Sequence, residues 1–306
     1  MSNIRSSHNT SLRTPRHPSR RNTTPACIGD WQLECLAAKG TMTNIYFGRP
    51  LGCPPDWPAD YAIKVLFAPH DQDPLSINLM KREAEVGLAS SFSHLVPILD
   101  QHVHQAPYFI VMPKIDGAPL SKAIAAMGRV TVPHALWIVR QVSQALGHLH
   151  QSGWIHADVK PANIMVSAEG HATLIDLGCA LRKHESIFSW DRPIVGTLHY
   201  VAPEMFTSTL RTDVRSDIYS LGVTLFEMLT GRKPFSGSDQ GKLVEAHLSE
   251  TPADVRSIRS EIPESVADLV RRMLAKQPLR RPQNTEDLID ELTALEVQTI
   301  GLRLAS

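Results

Sequence analysis

The stretch His156-Ala157-Asp158-Val159-Lys160-Pro161-Ala162-Asn163 decides how the rest of this chain is read. Thirteen residues beyond Asn163 comes Asp176-Leu177-Gly178. Both segments lie between short apolar runs, so their polar groups sit at turns flanked by strands. Asn163 and Asp176 offer hard oxygen ligands of the kind Mg2+ takes, which keeps waters and phosphate oxygens in the rest of its shell. Asp158 is a carboxylate suited to orienting a hydroxyl. Lys160, two residues later, projects to the same side and can neutralise charge on a transferred group. Phosphoryl transfer asks a protein for little more than these parts, held in position.

Working outward, the chain before this stretch reads mostly as strands. Trp31 to Phe47 reads as two strands around a turn at Lys39-Gly40-Thr41, and Pro50, Pro54, Pro55 and Pro58 mark a loop. Tyr61-Ala62-Ile63-Lys64-Val65-Leu66-Phe67 is a strand. A helix follows: Asp73 can cap it, Pro74 suits its first position, and it runs to about Ser90 with Ile77, Met80, Ala84 and Leu88 on one face. Val96 to Val103 and Tyr108 to Met112 read as two further strands.

After Gly117 the pattern turns helical. Residues 132–152 set Leu136, Val139, Val142, Leu146 and Leu149 at helical spacing, with Gly153 as a stop. Residues 217–230 are apolar on almost every side, which predicts a helix buried all round, ended by Gly231. Helices near 240–248, 264–275 and 285–296 complete the reading.

Bulk properties exclude several classes. Lys+Arg and Asp+Glu both number 31, so no net charge draws the chain to nucleic acid or anionic lipid. No stretch reaches the ~20 apolar residues of a membrane span, and no apolar signal segment opens the chain. Cys27, Cys35, Cys53 and Cys179 have neither CxxC nor metal spacing, which points to free thiols in a reducing cytoplasm. The histidines form no HExxH-type cluster. Residues 1–26 read as a disordered basic tail with Arg5, Arg13, Arg16, Arg20 and Arg21.

The two polar segments resemble the catalytic loop and the metal-binding loop of the eukaryotic-type serine/threonine protein kinase family, in particular its soluble bacterial-like members. The resemblance covers about residues 30–296. Ala62-Ile63-Lys64 is similar to the strand whose lysine grips the α- and β-phosphates. Glu83, nineteen residues on, resembles the helix glutamate that pairs with that lysine. Ala202-Pro203-Glu204 matches the motif closing the activation segment, Asp217 the aspartate tying the buried helix to the catalytic loop, and Arg281 the arginine that pairs with Glu204. Met112 to Asp116 resembles the adenine-receiving hinge, with Met112 as gatekeeper.

The resemblance implies an α+β fold of two lobes within a domain at 27–297. The small β-rich lobe with one helix occupies about 27–113, the hinge 113–117, the larger helical lobe about 117–297, and a tail 298–306. It implies ATP with Mg2+, or Mn2+ as a substitute, in the cleft. The catalytic set is then Asp158, Lys160, Lys64 and Glu83. The nucleotide set is Ala38, Gly40, Ile45, Ala62, Lys64, Met112, Lys114, Asp116, Asn163, Met165 and Asp176, with Asn163 and Asp176 holding the metal. Lys160, together with Thr197 in Gly196-Thr197-Leu198-His199-Tyr200 seating the acceptor, points to Ser/Thr hydroxyls of protein substrates, autophosphorylation included. The resemblance specifies no regulatory partner. His156 reads as a structural histidine whose ring bonds backbone near the metal loop. Asp116 suits either a ribose hydroxyl or a turn.

Three positions depart from the family pattern. The phosphate-covering run Ala38-Lys39-Gly40-Thr41-Met42-Thr43-Asn44-Ile45 keeps one glycine of three, which predicts weaker or reshaped ATP binding. Ala157 replaces the arginine that holds an activation-segment phosphate, so activity should not depend strongly on phosphorylation at Ser186, Ser189 or Thr197. Leu177 fills the usual phenylalanine slot. Two other functions compete. A pseudokinase scaffold has no chemical need for Lys64, Glu83, Asp158, Lys160, Asn163 and Asp176 together. A small-molecule kinase of related fold lacks the peptide-docking segment closed by Ala202-Pro203-Glu204.

Overall fold

The computed structural model describes residues 26–54, 56–90, 92–183, 198–207 and 212–303. The basic run at 1–25 and the candidate positions Ser186, Ser189, Gly196 and Thr197 lie outside the described residues.

Alternating apolar positions build an antiparallel six-stranded sheet from β1 (Cys27–Ile28), β2 (Trp31–Lys39), β3 (Thr43–Pro50), β4 (Tyr61–Leu66), β5 (Asp100–His102) and β6 (Phe109–Pro113), in the order β1-β2-β3-β4-β6-β5. The β2–β3 turn is closed by Gly40 N donating to Thr43 O at 2.8 Å. A Cβ on Gly40 would stand 2.8 Å from that same oxygen, so the surviving glycine is required by the turn itself. Helix α1 (Pro74–Ala89) starts where the sequence sets it: Asp73 accepts from Ser76 N at 2.9 Å and Leu75 N at 3.4 Å. Met80 and Ala84 pack with Ala62, Leu66, Ile110 and Met112 into the core of this lobe.

Two expectations here need correction. Leu88 is not on the buried face; it is 48% exposed, while Val86 and Gly87 are buried. The last turn follows Ile98, whose Cγ1 would lie 2.2 Å from a Cβ on Gly87, so the tightest packing falls one position earlier. The strand read over 96–103 shrinks to Asp100–His102, because Val96 and Ile98 spend their amides on Leu174 O and Gly87 O rather than on a sheet neighbour.

The larger lobe comprises β7 (Ala118–Pro119), α2 (Leu120–Met127), α3 (Val132–Gln151), β8 (Trp154–Ile155), β9 (Ile164–Val166), β10 (Ala172–Leu174), β11 (Leu181–Arg182), α4 (Val214–Thr230), α5 (Gln240–Ser249), α6 (Val255–Ile258), α7 (Glu264–Met273), α8 (Thr285–Gln298) and α9 (Ile300–Arg303). Helix α4 is buried on nearly every side, as its composition requires, and Gly231 ends it at φ +72°. Helices α3, α4, α7 and α8 share one apolar core. The stretch read as a tail from 298 instead continues into α9, because Thr299 is buried and its Oγ1 donates to Leu295 O at 2.8 Å. No helix among the described residues is long and apolar enough to cross a membrane.

Candidate active site

Register brings the sheet residues expected at the nucleotide to one face. Cross-strand pairs share a face, and Ala38 pairs with Ile45, Ile45 with Lys64, and Ala62 with Met112. Lys64 and Ala62 are two residues apart on β4, so all five side chains lie on the same side of the sheet. Lys114 and Asp116 are exposed on the segment joining the lobes. Met165 on β9 is half-buried opposite Thr173.

On that face Lys64 Nζ donates to Glu83 Oε2 at 2.6 Å and to Asp176 Oδ1 at 3.1 Å. Burial of the Lys64 ammonium disfavours its charge, but the Asp176 and Glu83 carboxylates outweigh this and hold its pKa above the usual lysine value. The Asp176 carboxyl is held low, mainly by Lys64. Burial drives the Glu83 carboxyl the other way, against the pull of Lys64 and with a push from Asp176, up to about 7. Gly178 lets this turn dock on α1: a Cβ there would meet Leu79 O at 3.1 Å.

The second cluster is local. Lys160 Nζ donates to Asp158 Oδ2 at 2.7 Å, and Asn163 Nδ2 donates to Asp158 Oδ2 and to Asp158 O, both at 2.9 Å. Asp158 Oδ1 is buried without a hydrogen-bond partner among the described residues. Asn163, having spent its amide N–H groups, presents its carbonyl oxygen as the remaining polar atom. The two clusters are joined by Ile175 N donating to Asn163 O at 2.9 Å and by His156, whose Nε2 lies 3.3 Å from Ile175 O. With that nitrogen protonated, His156 Nδ1 accepts from Asp158 N at 3.2 Å.

The backbone at this junction is strained and held. Ala157 and Asp176 take left-handed φ values of +61° and +68°, which cost about 1 kcal/mol or more each for a residue with a Cβ. Fully buried Asp217 offsets this by accepting from His156 N and Ala157 N at 2.8 Å each and bonding His150 Nε2 at 2.9 Å. Lower down, Glu204 and Arg281 form a buried bidentate pair at 2.6 and 2.8 Å. His150 and Glu227 lie in runs whose signal is apolar spacing and match no motif, so neither the His150–Asp217 bond nor the Tyr200–Glu227 bond of 2.6 Å is legible in the sequence.

The residues fit magnesium. Among the described residues no group of three or more His, Cys, Asp or Glu could hold a metal alone. A cation held by the Asn163 and Asp176 oxygens would complete its shell with phosphate and water oxygens, the coordination habit of Mg2+.

The sequence model described as the protein kinase domain matches residues 56–292. The chain is 30% identical over 274 residues to the serine/threonine-protein kinase PrkC of Bacillus subtilis (strain 168), covering 89% of this chain and 42% of that protein. It is 33% identical over 261 residues to PknH of Mycobacterium tuberculosis (strain CDC 1551 / Oshkosh), covering 85% and 41%. To PknB of Mycobacterium tuberculosis (strain ATCC 25177 / H37Ra) it is 32% identical over 277 residues, covering 88% and 44%. The chain thus spans less than half the length of these curated relatives.

Proposed function

The chain belongs to the protein kinase family, and from that premise we propose that it transfers the γ-phosphoryl group of ATP to Ser or Thr hydroxyls of proteins. The observation that carries this reading is Asp158. One carboxylate oxygen is held by Lys160 and Asn163, and the other is buried with no partner among the described residues. A buried acceptor left open asks for a donor, and an incoming hydroxyl supplies one.

In this reading the substrate oxygen attacks the γ-phosphorus while the bond to the β–γ bridging oxygen breaks. ADP leaves and the hydroxyl proton passes to Asp158. Lys160 balances the charge that gathers on the transferred group. Lys64, braced by Glu83, grips the α- and β-phosphates. Asn163 and Asp176 would hold Mg2+, which supplies further neutralisation of phosphate charge. Ala38, Ile45, Ala62, Met112 and Met165 enclose the adenine, with Gly40 in the turn that covers the phosphates and Lys114 and Asp116 at the rim. Thr197 seats the acceptor. A cytoplasmic setting is part of the proposal, and four cysteines with none in a disulfide fit it.

The test is incubation with γ-labelled ATP and a generic protein substrate. Label on phosphoserine or phosphothreonine is the expected result. Nucleotide binding without transfer would favour a scaffold, and transfer only to a small alcohol would favour the other class of kinase.

A further inference from the structure

Lys64, Glu83 and Asp176 converge only if α1 stands close against the larger lobe, so whatever sets that approach sets the site. One contact is the docking of Gly178 on Leu79 O described above. A second lies one residue from Glu83. Arg182 on β11 sits directly across from Trp154 on β8 in the ladder, and its guanidinium lies 4.0 Å from the indole centroid. Arg82 on α1 brings its own guanidinium to 5.0 Å from the same ring. Arg182 also donates to Glu85 Oε1 at 2.9 Å, and Arg82 and Glu85 share one flank of α1 at i,i+3 spacing.

The energies rank these contacts. Glu85 and Arg182 are half exposed, with side-chain exposures of 52% and 56%, so their ion pair alone is weak. Trp154 is 2% exposed, and a cation over a desolvated indole is the stronger contact. The next residue along from His156, Ala157, has no cation to offer. The cations at this junction lie over an aromatic ring instead.

We infer that Trp154 and Arg182 are positioning residues that fix α1, and through it Glu83, against the larger lobe by an arginine–indole clamp. Their effect on rate rests on the phosphotransfer reading above; their effect on α1 does not. The clamp supplies a reason for the site to be assembled without a phosphate on the activation segment.

Arg182→Ala, made in the full chain, tests this without opening the core. Expected are a fall in kcat of about tenfold with little change in the KM for protein substrate, and faster amide hydrogen exchange over residues 76–89. Arg182→Lys keeps the charge beside Glu85 but not the planar stack, and should fall between wild type and Arg182→Ala in both readouts. On a Glu83→Gln background Arg182→Ala should cost no further rate, because the residue it positions is already disabled. Losses that multiply in the double variant, or unchanged exchange over α1, would overturn the clamp. If the wild type transfers no phosphoryl group, the phosphotransfer reading fails, and hydrogen exchange alone then decides whether the clamp holds α1.

Discussion

Two polar clusters face the same cleft and are built in opposite ways. Asp158, Lys160 and Asn163 lie within six residues on one loop, and their geometry is fixed by that loop and by Asp217 beneath it. Lys64, Glu83 and Asp176 come from a strand, a helix and a distant turn, Asp176 standing 112 positions beyond Lys64. The first cluster stands as long as the larger lobe is folded. The second exists only while α1 and the sheet sit at the right distance from the turn. In the proposed reading, chemistry is therefore placed on the rigid side and control on the adjustable side.

Breaking each cluster at its centre gives the largest expected effects. Asp158→Asn should cut phosphotransfer by about 10²–10⁴-fold, the usual worth of a positioned acid–base group, with the melting temperature little changed. Lys64→Met should abolish transfer to a similar degree but weaken nucleotide binding as well, and titration with a fluorescent ATP analogue separates the two. Undermining the local cluster from below is the next step down. Asp217→Asn puts an amide N–H2 against a backbone donor in a fully buried place and should cost about 3 kcal/mol by denaturant melt.

pH sharpens the contrast. With the Glu83 carboxyl raised to about 7 by burial, falling pH protonates it and removes its charge from Lys64. The ratio kcat/KM for ATP should therefore fall on the acid side with an apparent pKa near 7, and Glu83→Gln should flatten that limb. A smaller effect is expected at the phosphate-covering turn. Thr43→Gly restores one missing glycine and should tighten ATP binding by about two- to fivefold; unchanged affinity would remove the glycine deficit as an explanation. The smallest is no effect at all: phosphatase treatment should leave the rate nearly intact, and a large loss would mean that a phosphate is needed despite Ala157.

The same contrast explains what the sequence disclosed. The local cluster and the helix punctuation at Asp73-Pro74 are short-range patterns, and the caps and turns stand where those residues put them. The partners of Lys64 are not written near Lys64. Glu83 was reached through family resemblance, since on its own helix it looks like any charged residue beside Lys81 and Arg82. Leu88 was misjudged because helical spacing gives a face but not the neighbour that Gly87 admits. Trp154 carries no motif and no role in the sequence, and it is buried. What no periodicity reveals is that two arginines, one on α1 and one on β11, meet over it. Such contacts depend on tertiary approach, which a linear pattern does not encode.

The central claim is that both clusters serve one magnesium-bound triphosphate. A crystal structure with Mg2+ and a non-hydrolysable ATP analogue tests it most directly. The expected result is a cation touching Asn163 and Asp176 with Lys64 on the α- and β-phosphates and the γ-phosphate turned toward Asp158. A nucleotide bound away from Asp158, or a cation touching neither Asn163 nor Asp176, would contradict it.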